Sequence, residues 1–250
     1  MVRSKRIFVL CALGVLLPAD FGHLQAQTAV EPDVLSTWEW RALGPNLGGR
    51  SLAVAGSGAR PLEYYFGAVG GGLWKTTDAG NSWRPVSDGW FNSSSVGSIG
   101  VCEADPDVVY VGMGEGQFRG TMSSGDGAYV TRDGGATWSF IGLGSSTGQT
   151  MIPRMRVDPL DCDRVYAAVL GDAYGPNDER GVYRSLDGGE TWERVLFRSA
   201  LAGASDLVVD PSDAGTLYAT IWDVHRPPWG GRTNGTSGIF KSTDGGDSWA

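Results

Sequence analysis

Cysteine and histidine are nearly missing from this sequence, which has three of the first and two of the second in 250 residues. Cys11 and His23 both fall within the first 26 positions, so only Cys102, Cys162 and His225 remain in the body of the chain. No Cys and His spacing fits a zinc site, and no metal or cofactor is implied. Charged residues make up only 19%. No stretch of ten or more residues beyond the N-terminus repeats apolar positions with a helical period, which argues against a helical or α/β domain. There is no basic patch, and the longest apolar run, Ile7 to Leu17, has 11 residues, against the roughly 20 that a spanning helix needs.

That run follows Met-Val-Arg-Ser-Lys-Arg and precedes Pro18 and Leu24-Gln-Ala26. The order of basic, apolar and small residues is that of a secretory signal over residues 1–26, with 27–37 as a linker. Export to the periplasm or the extracellular space is expected, with no stable membrane insertion after cleavage. In an oxidising compartment Cys102 and Cys162 are free to pair, but they occupy different points of the repeat described next, so pairing stays open. Without the leader the chain holds 17 basic against 27 acidic residues. Such a surface repels phosphate backbones, so nucleic acid is not an expected partner.

What the chain does have is glycine, 39 residues, and tryptophan, 10 residues, the latter recurring at regular intervals. Four segments share the pattern [ST]-x-D-x-G-x-[ST]-W: Thr76 to Trp83, Thr131 to Trp138, Ser185 to Trp192 and Ser242 to Trp249. Their aspartates, Asp78, Asp133, Asp187 and Asp244, are 55, 54 and 57 residues apart. An Asp-Pro turn keeps step at Asp105, Asp158 and Asp210, and an apolar triplet such as Val182-Tyr-Arg precedes each box. Each repeat then reads as four short strands, for example Met155 to Val157, Val165 to Leu170, Gly181 to Arg184 and Trp192 to Leu196. A four-stranded meander cannot bury both faces alone, so such units stack around an axis. The fold expected is an all-β propeller of four-stranded antiparallel blades. About four are present, near 38–88, 89–142, 143–198 and 199–250, and the ring is incomplete because the chain ends right after Trp249.

Within each box the carboxylate accepts hydrogen bonds from its own turn, glycine supplies a φ that other residues resist, and the indole packs between sheets. The aspartates are therefore read as folding clamps rather than as acids, bases or metal ligands. The motif resembles the Asp-box (BNR repeat) superfamily. The runs Gly44 to Arg50, Gly67 to Asp78 and Glu179 to Arg184 are similar to large bacterial exported proteins described as glycosyl hydrolase or sortilin N-terminal-like. The resemblance implies a propeller and leaves the activity open, since this fold carries unrelated functions.

A ligand site is expected on the loops opposite the Asp-boxes. The loops in question are Gly114 to Gly125 with Glu115 and Arg119, Gly171 to Arg180, and Trp222 to Ser237 with His225, Arg226 and Trp229. Arg50 and Arg154 begin first strands, nearest the central channel. Two readings stand: the arginines hold a carboxylate or phosphate, or they pair with Glu115, Glu179, Asp172 or Asp223 and only order the loops. Trp229 is a candidate to stack on a sugar. A sialidase of this superfamily implies an Arg-Ile-Pro near its first strand, whereas this chain has Ile152-Pro153-Arg154 in the third repeat. A glucanase implies two carboxylates across a cleft, the first sought near Gly44 to Ala55, where neither Asp nor Glu occurs. These departures favour a module that binds a protein, peptide or glycan without chemistry; the alternative is a glycoside hydrolase whose carboxylates lie partly beyond residue 250.

Overall fold

The computed structural model describes residues 50–144, 148–226 and 235–250. The leader, the linker, Gly44 to Gly49 and Trp229 lie outside the described residues. Among the described residues fifteen strands form four antiparallel sheets with sequential order. The first holds β1 (Arg50–Gly56), β2 (Tyr64–Val69), β3 (Gly72–Thr76) and β4 (Arg84–Pro85). The second holds β5 (Val96–Val101), β6 (Val109–Met113), β7 (Ala128–Thr131) and β8 (Ser139–Phe140). The third holds β9 (Arg154–Val157), β10 (Val165–Val169), β11 (Gly181–Ser185) and β12 (Glu193–Leu196). The fourth has three strands, β13 (Ala202–Asp210), β14 (Asp213–Asp223) and β15 (Gly238–Ser242). Beyond β15, Lys241 and Ala250 exchange two backbone hydrogen bonds of 2.9 Å, a third pairing in this sheet.

First strands adjoin first strands, β1 against β5, β5 against β9 and β9 against β13. They are the inner strands of a propeller arc, and the short β4, β8 and β12 are its rim. The arc's core is three sandwich layers between sheets. Tyr65, Leu73, Ile99 and Val111 fill the first, Tyr110, Val130, Met155 and Val169 the second, and Tyr166, Val182, Leu207 and Leu217 the third. Among the described residues the outward faces of the two end sheets have no such partner. On the first, Val54 is 73% exposed beside Phe66, against which Trp83 packs edge-on; on the last, Ile239 is 75% exposed near Tyr218 and Val208.

The four boxes repeat one hydrogen-bond pattern. In the second, Thr137 donates its backbone N–H to Asp133 Oδ1 at 2.8 Å and its hydroxyl to Oδ2 at 2.6 Å, and Thr131 donates its hydroxyl to Oδ1 at 2.7 Å. The Thr131 hydroxyl in turn accepts Gly135 N–H at 2.9 Å. Hydroxyls and N–H groups favour the ionised carboxylate. The hydroxyl donated by Ser82, Thr137, Thr191 or Ser248 is the largest cause that lowers Asp78, Asp133, Asp187 and Asp244 to about 2. Gly135 sits at φ 91°, a left-handed conformation that a side chain resists. The preceding position is Gly in three boxes and Ala79, at φ 58°, in the first.

Between blades the polar contacts also repeat. Trp138 Nε1 donates to the carbonyl of Val86, and Trp192 Nε1 to that of Ile141, each just past the preceding blade's last strand, at 2.8 and 2.7 Å. Trp249 turns its N–H to its own Gly246 instead. The second-strand tyrosines reach forward: Tyr65 Oη donates to Gly134 O at 3.1 Å and Tyr166 Oη to Gly245 O at 3.0 Å, both in the next blade's box. Tyr110 departs from this and donates to Cys162 O at 2.8 Å. Cys162 is joined to Cys102 by a disulfide with Cα atoms 5.4 Å apart. The different offsets of the two cysteines within the repeat are what bring them together, because each stands on the flank of its own blade's Asp-Pro turn that faces the other.

Candidate functional site

Turns alternate between two faces, so the Asp-boxes and Asp-Pro turns occupy one and the β2–β3, β6–β7, β10–β11 and β14–β15 loops the other, with the connections between blades. On this second face Arg50, opening β1, donates to both carboxylate oxygens of Glu115, at 2.8 and 2.7 Å. Glu115 is wholly buried, also accepts Ser123 N–H at 3.2 Å, and has Arg119 Nε at 3.8 Å. Two blades further on, Arg154, opening β9, donates from Nε to Asp206 Oδ1 at 2.6 Å. Burial pushes the Asp206 carboxyl up, but the Arg154 hydrogen bond and the Leu207 N–H outweigh it and leave the group below its ordinary value.

Arg180 is fully buried and faces no carboxylate directly. Its guanidinium donates to the carbonyls of Leu201 and Asp172 at 2.9 and 2.7 Å, and more weakly to those of Val224 and Gly175. Burial lowers its pKa to about 10, against the pull of Asp172 and Asp223. It ties the β10–β11 loop to the fourth blade, and the pairing partners weighed from sequence are replaced by backbone oxygens.

The outer parts of the three loops are knitted together. Tyr174 Oη accepts Met122 N–H at 3.0 Å, and Arg226 N–H donates to Ala173 O at 2.7 Å. His225 Nε2 lies 2.9 Å from Tyr174 O. Arg226 Nε donates to Arg119 O at 2.8 Å, with its guanidinium 5.6 Å from the Phe118 ring, which in turn meets Trp222 edge-to-face at 5.2 Å. Beneath them Met122, Met151, Leu170, Ala173 and Val224 form a separate apolar cluster. The structure thus gathers Arg119, His225 and Arg226 on one ledge and sets Arg50 with Glu115, and Arg154, nearer the axis. Asp206 is a partner that sequence reasoning missed, since nothing in Ala204-Ser-Asp206 distinguishes it from any strand residue.

A hollow of about 530 Å³ opens on the same face where the first and second blades meet. Gly70, Gly71 and Gly72 of the β2–β3 turn form one wall, and the connection from Ser87 to Ser94 forms the other. Leu73 N–H donates to Ser87 Oγ and Gly72 N–H to Ser94 O, both at 2.9 Å, so both walls are fixed. Asn92 is held through its backbone and side-chain nitrogens by Tyr129 Oη, itself bonded to Asp126 at 2.5 Å. Among the described residues no group of three or more His, Cys, Asp or Glu is placed to hold a metal, and no helix is long and apolar enough to cross a membrane.

The BNR/Asp-box repeat family matches residues 183–194, the third box. A xyloglucanase from Paenibacillus sp is 25% identical over 271 aligned positions, covering 98% of this chain and 25% of that protein. One from Hypocrea jecorina is 27% identical over 209 positions, covering 72% and 23%. The crystal structure of an ancestral GH74 enzyme superposes with a TM-score of 0.59 at 21% identity, covering 84% of this chain and 25% of that one. The chain spans about a quarter of the length of the curated relatives it matches. The expectation of a binding module without chemistry is thereby corrected: the similar proteins are glycoside hydrolases, the alternative weighed from sequence. The missing first-strand acid misled because one absent residue was set against a co-linearity that runs through the whole chain. The chain has the fold of a β-propeller arc and carries a BNR/Asp-box repeat match at residues 183–194.

Proposed function

We propose that this chain is the propeller arc of an exported polysaccharide hydrolase of the xyloglucanase type, supplying loops that hold the glycan. The observation that carries the reading is the alignment of 98% of the chain with a xyloglucanase, at a length that includes every blade. Export is supported by the basic, apolar and small-residue order at residues 1–26 and by the Cys102–Cys162 disulfide.

Hydrolysis needs a carboxylic acid and a carboxylate flanking the scissile bond. Glu115 is wholly buried behind the Arg50 fork, and Asp206, held below its ordinary range, suits a base rather than a proton donor. We therefore assign the donor to a region that the relatives have beyond the matched quarter. Arg50, Glu115, Arg154 and Arg180 act as positioning residues behind the loops, whereas Arg119, His225, Arg226 and Trp229 contact the glycan. The test is incubation of the natural full-length protein with xyloglucan, carboxymethylcellulose and an aryl sialoside, reading new reducing ends or released phenol. Xyloglucan is the substrate expected to be cut. Absence of new reducing ends from every polysaccharide would overturn the reading.

A further inference from the structure

We propose that the joint between the second and third blades is a redox latch, in which the Cys102–Cys162 disulfide supplies a closure that hydrogen bonds supply at the joints on either side. Its use in an exported protein rests on the proposed function; the latch itself does not. At the first joint Tyr65 and Lys75 stand opposite each other on β2 and β3, and both donate to the Gly134 carbonyl of the next blade's box, at 3.1 and 2.9 Å. At the third joint Tyr166 and Arg184 hold the same register, and both donate to the Gly245 carbonyl, at 3.0 and 2.9 Å. At the second joint the residue opposite Tyr110 is Val130, whose side chain has nothing to donate, and Tyr110 turns to Cys162 O at 2.8 Å. The equivalent carbonyl, that of Gly188, is gripped by neither. A hollow of about 590 Å³ opens there, lined by Val130, Gly188 and Gly189.

The disulfide stands where that grip is missing, tying the β5–β6 turn to the β9–β10 turn across the same joint. The Arg132–Asp163 pair and the Trp192 indole also cross it, but both have counterparts at the first joint, in Arg60–Asp107 and Trp138, so neither makes up the difference. Closing the latch takes one hydrogen from each thiol, two protons and two electrons in all. They pass to the disulfide of an oxidised thiol–disulfide oxidoreductase, which leaves as a dithiol. A dithiol reductant reverses this, attacking first at Cys162, which is part-exposed while Cys102 is wholly buried. The apolar layer of Val130, Met155 and Val169 stays in place, so reduction loosens the joint without unfolding the blades. The arc is therefore pliant at its middle joint where thiols are kept reduced, and set after passage to an oxidising compartment.

The experiment is hydrogen–deuterium exchange of the natural full-length protein, read by mass spectrometry under native conditions with and without dithiothreitol. Reduction is expected to speed exchange about tenfold at 102–108 and 158–164, which flank the second joint, and to leave the second and fourth boxes, held by the two grips, within about twofold. Lys75→Met is expected to do at the second box, in either redox state, what reduction does at the second joint. Uniform acceleration at all three joints, as a cross-link acting only on the unfolded chain would give, overturns the latch. Unchanged exchange at 158–164, or a second box that Lys75→Met leaves unmoved, overturns it too. Alkylation of quenched cell fractions tests export separately, with free thiols expected in the leader-bearing form and the disulfide in the processed one. Loosening on reduction in a protein that is never processed or exported upholds the latch and overturns the export reading. Uniform exchange in an exported protein does the reverse.

Discussion

A carboxylate in this molecule is defined by who donates to it. The four box aspartates take hydroxyl and backbone donors within their own hairpins and are lowered from 3.8 to about 2. A group with a lowered folded pKa contributes stability that is complete above its unfolded value and is lost as pH falls through the folded one. Acid unfolding is therefore expected to set in between pH 4 and pH 2. Asp133→Asn, followed by tryptophan fluorescence against pH, is expected to lower stability at neutral pH and to shallow that acid slope. Glu115 differs because its cation comes from another blade. Arg50→Met leaves a wholly buried carboxylate with only Ser123 N–H and a distant Arg119, and removing one member of a buried pair costs about 3 kcal/mol or more. Urea titration is the check, with the loss expected to shrink in the Arg50→Met, Glu115→Gln double variant.

At the level of strands and turns, what recurs was readable and what occurs once was not. The strand read at Val165 to Leu170 is β10, Val165–Val169, and that read at Gly181 to Arg184 is β11, Gly181–Ser185. Each is an apolar run between Asp-Pro, Gly and box signals, reinforced by three Asp-Pro turns and four boxes. The indole N–H staples were only half legible: packing of Trp between sheets follows from its size, but the acceptors, Val86 and Ile141 carbonyls, belong to connections with no shared sequence. Trp192→Phe keeps most of the ring and removes the donor. It is expected to cost about 1 kcal/mol, the net worth of one hydrogen bond, by thermal or urea unfolding. The loops on the opposite face were legible as loops and not as contacts. Arg180 reads as a surface cation in Glu179-Arg-Gly181, yet it is buried among carbonyls contributed by residues up to 44 positions away. The hollow lined by Asp88 and Asn92 gave no signal either, since it exists only when a glycine turn and a connection of separate repeats are set side by side.

Across the whole molecule, cohesion is passed from each blade to the next, and the disulfide reinforces one of the three joints. It closes a loop of 60 residues between the Asp-Pro turns of the second and third blades. In the chain-entropy account such a link is worth roughly 4 kcal/mol. Cys102→Ser, or reduction, is expected to lower the unfolding free energy by that order, read from the urea midpoint and slope. The end faces have a different outcome. Val54 with Phe66 at one flank and Ile239 with Tyr218 at the other have the alternating texture that elsewhere meets a neighbouring sheet. They are unlike each other, so when these residues are produced with nothing against either flank, the contact that satisfies both is head-to-tail between copies. Such a contact has no built-in stop unless its rotation happens to close. Light scattering that climbs with concentration, and falls when Ile239 is replaced by Lys, is the signature to look for in a solution of this chain alone.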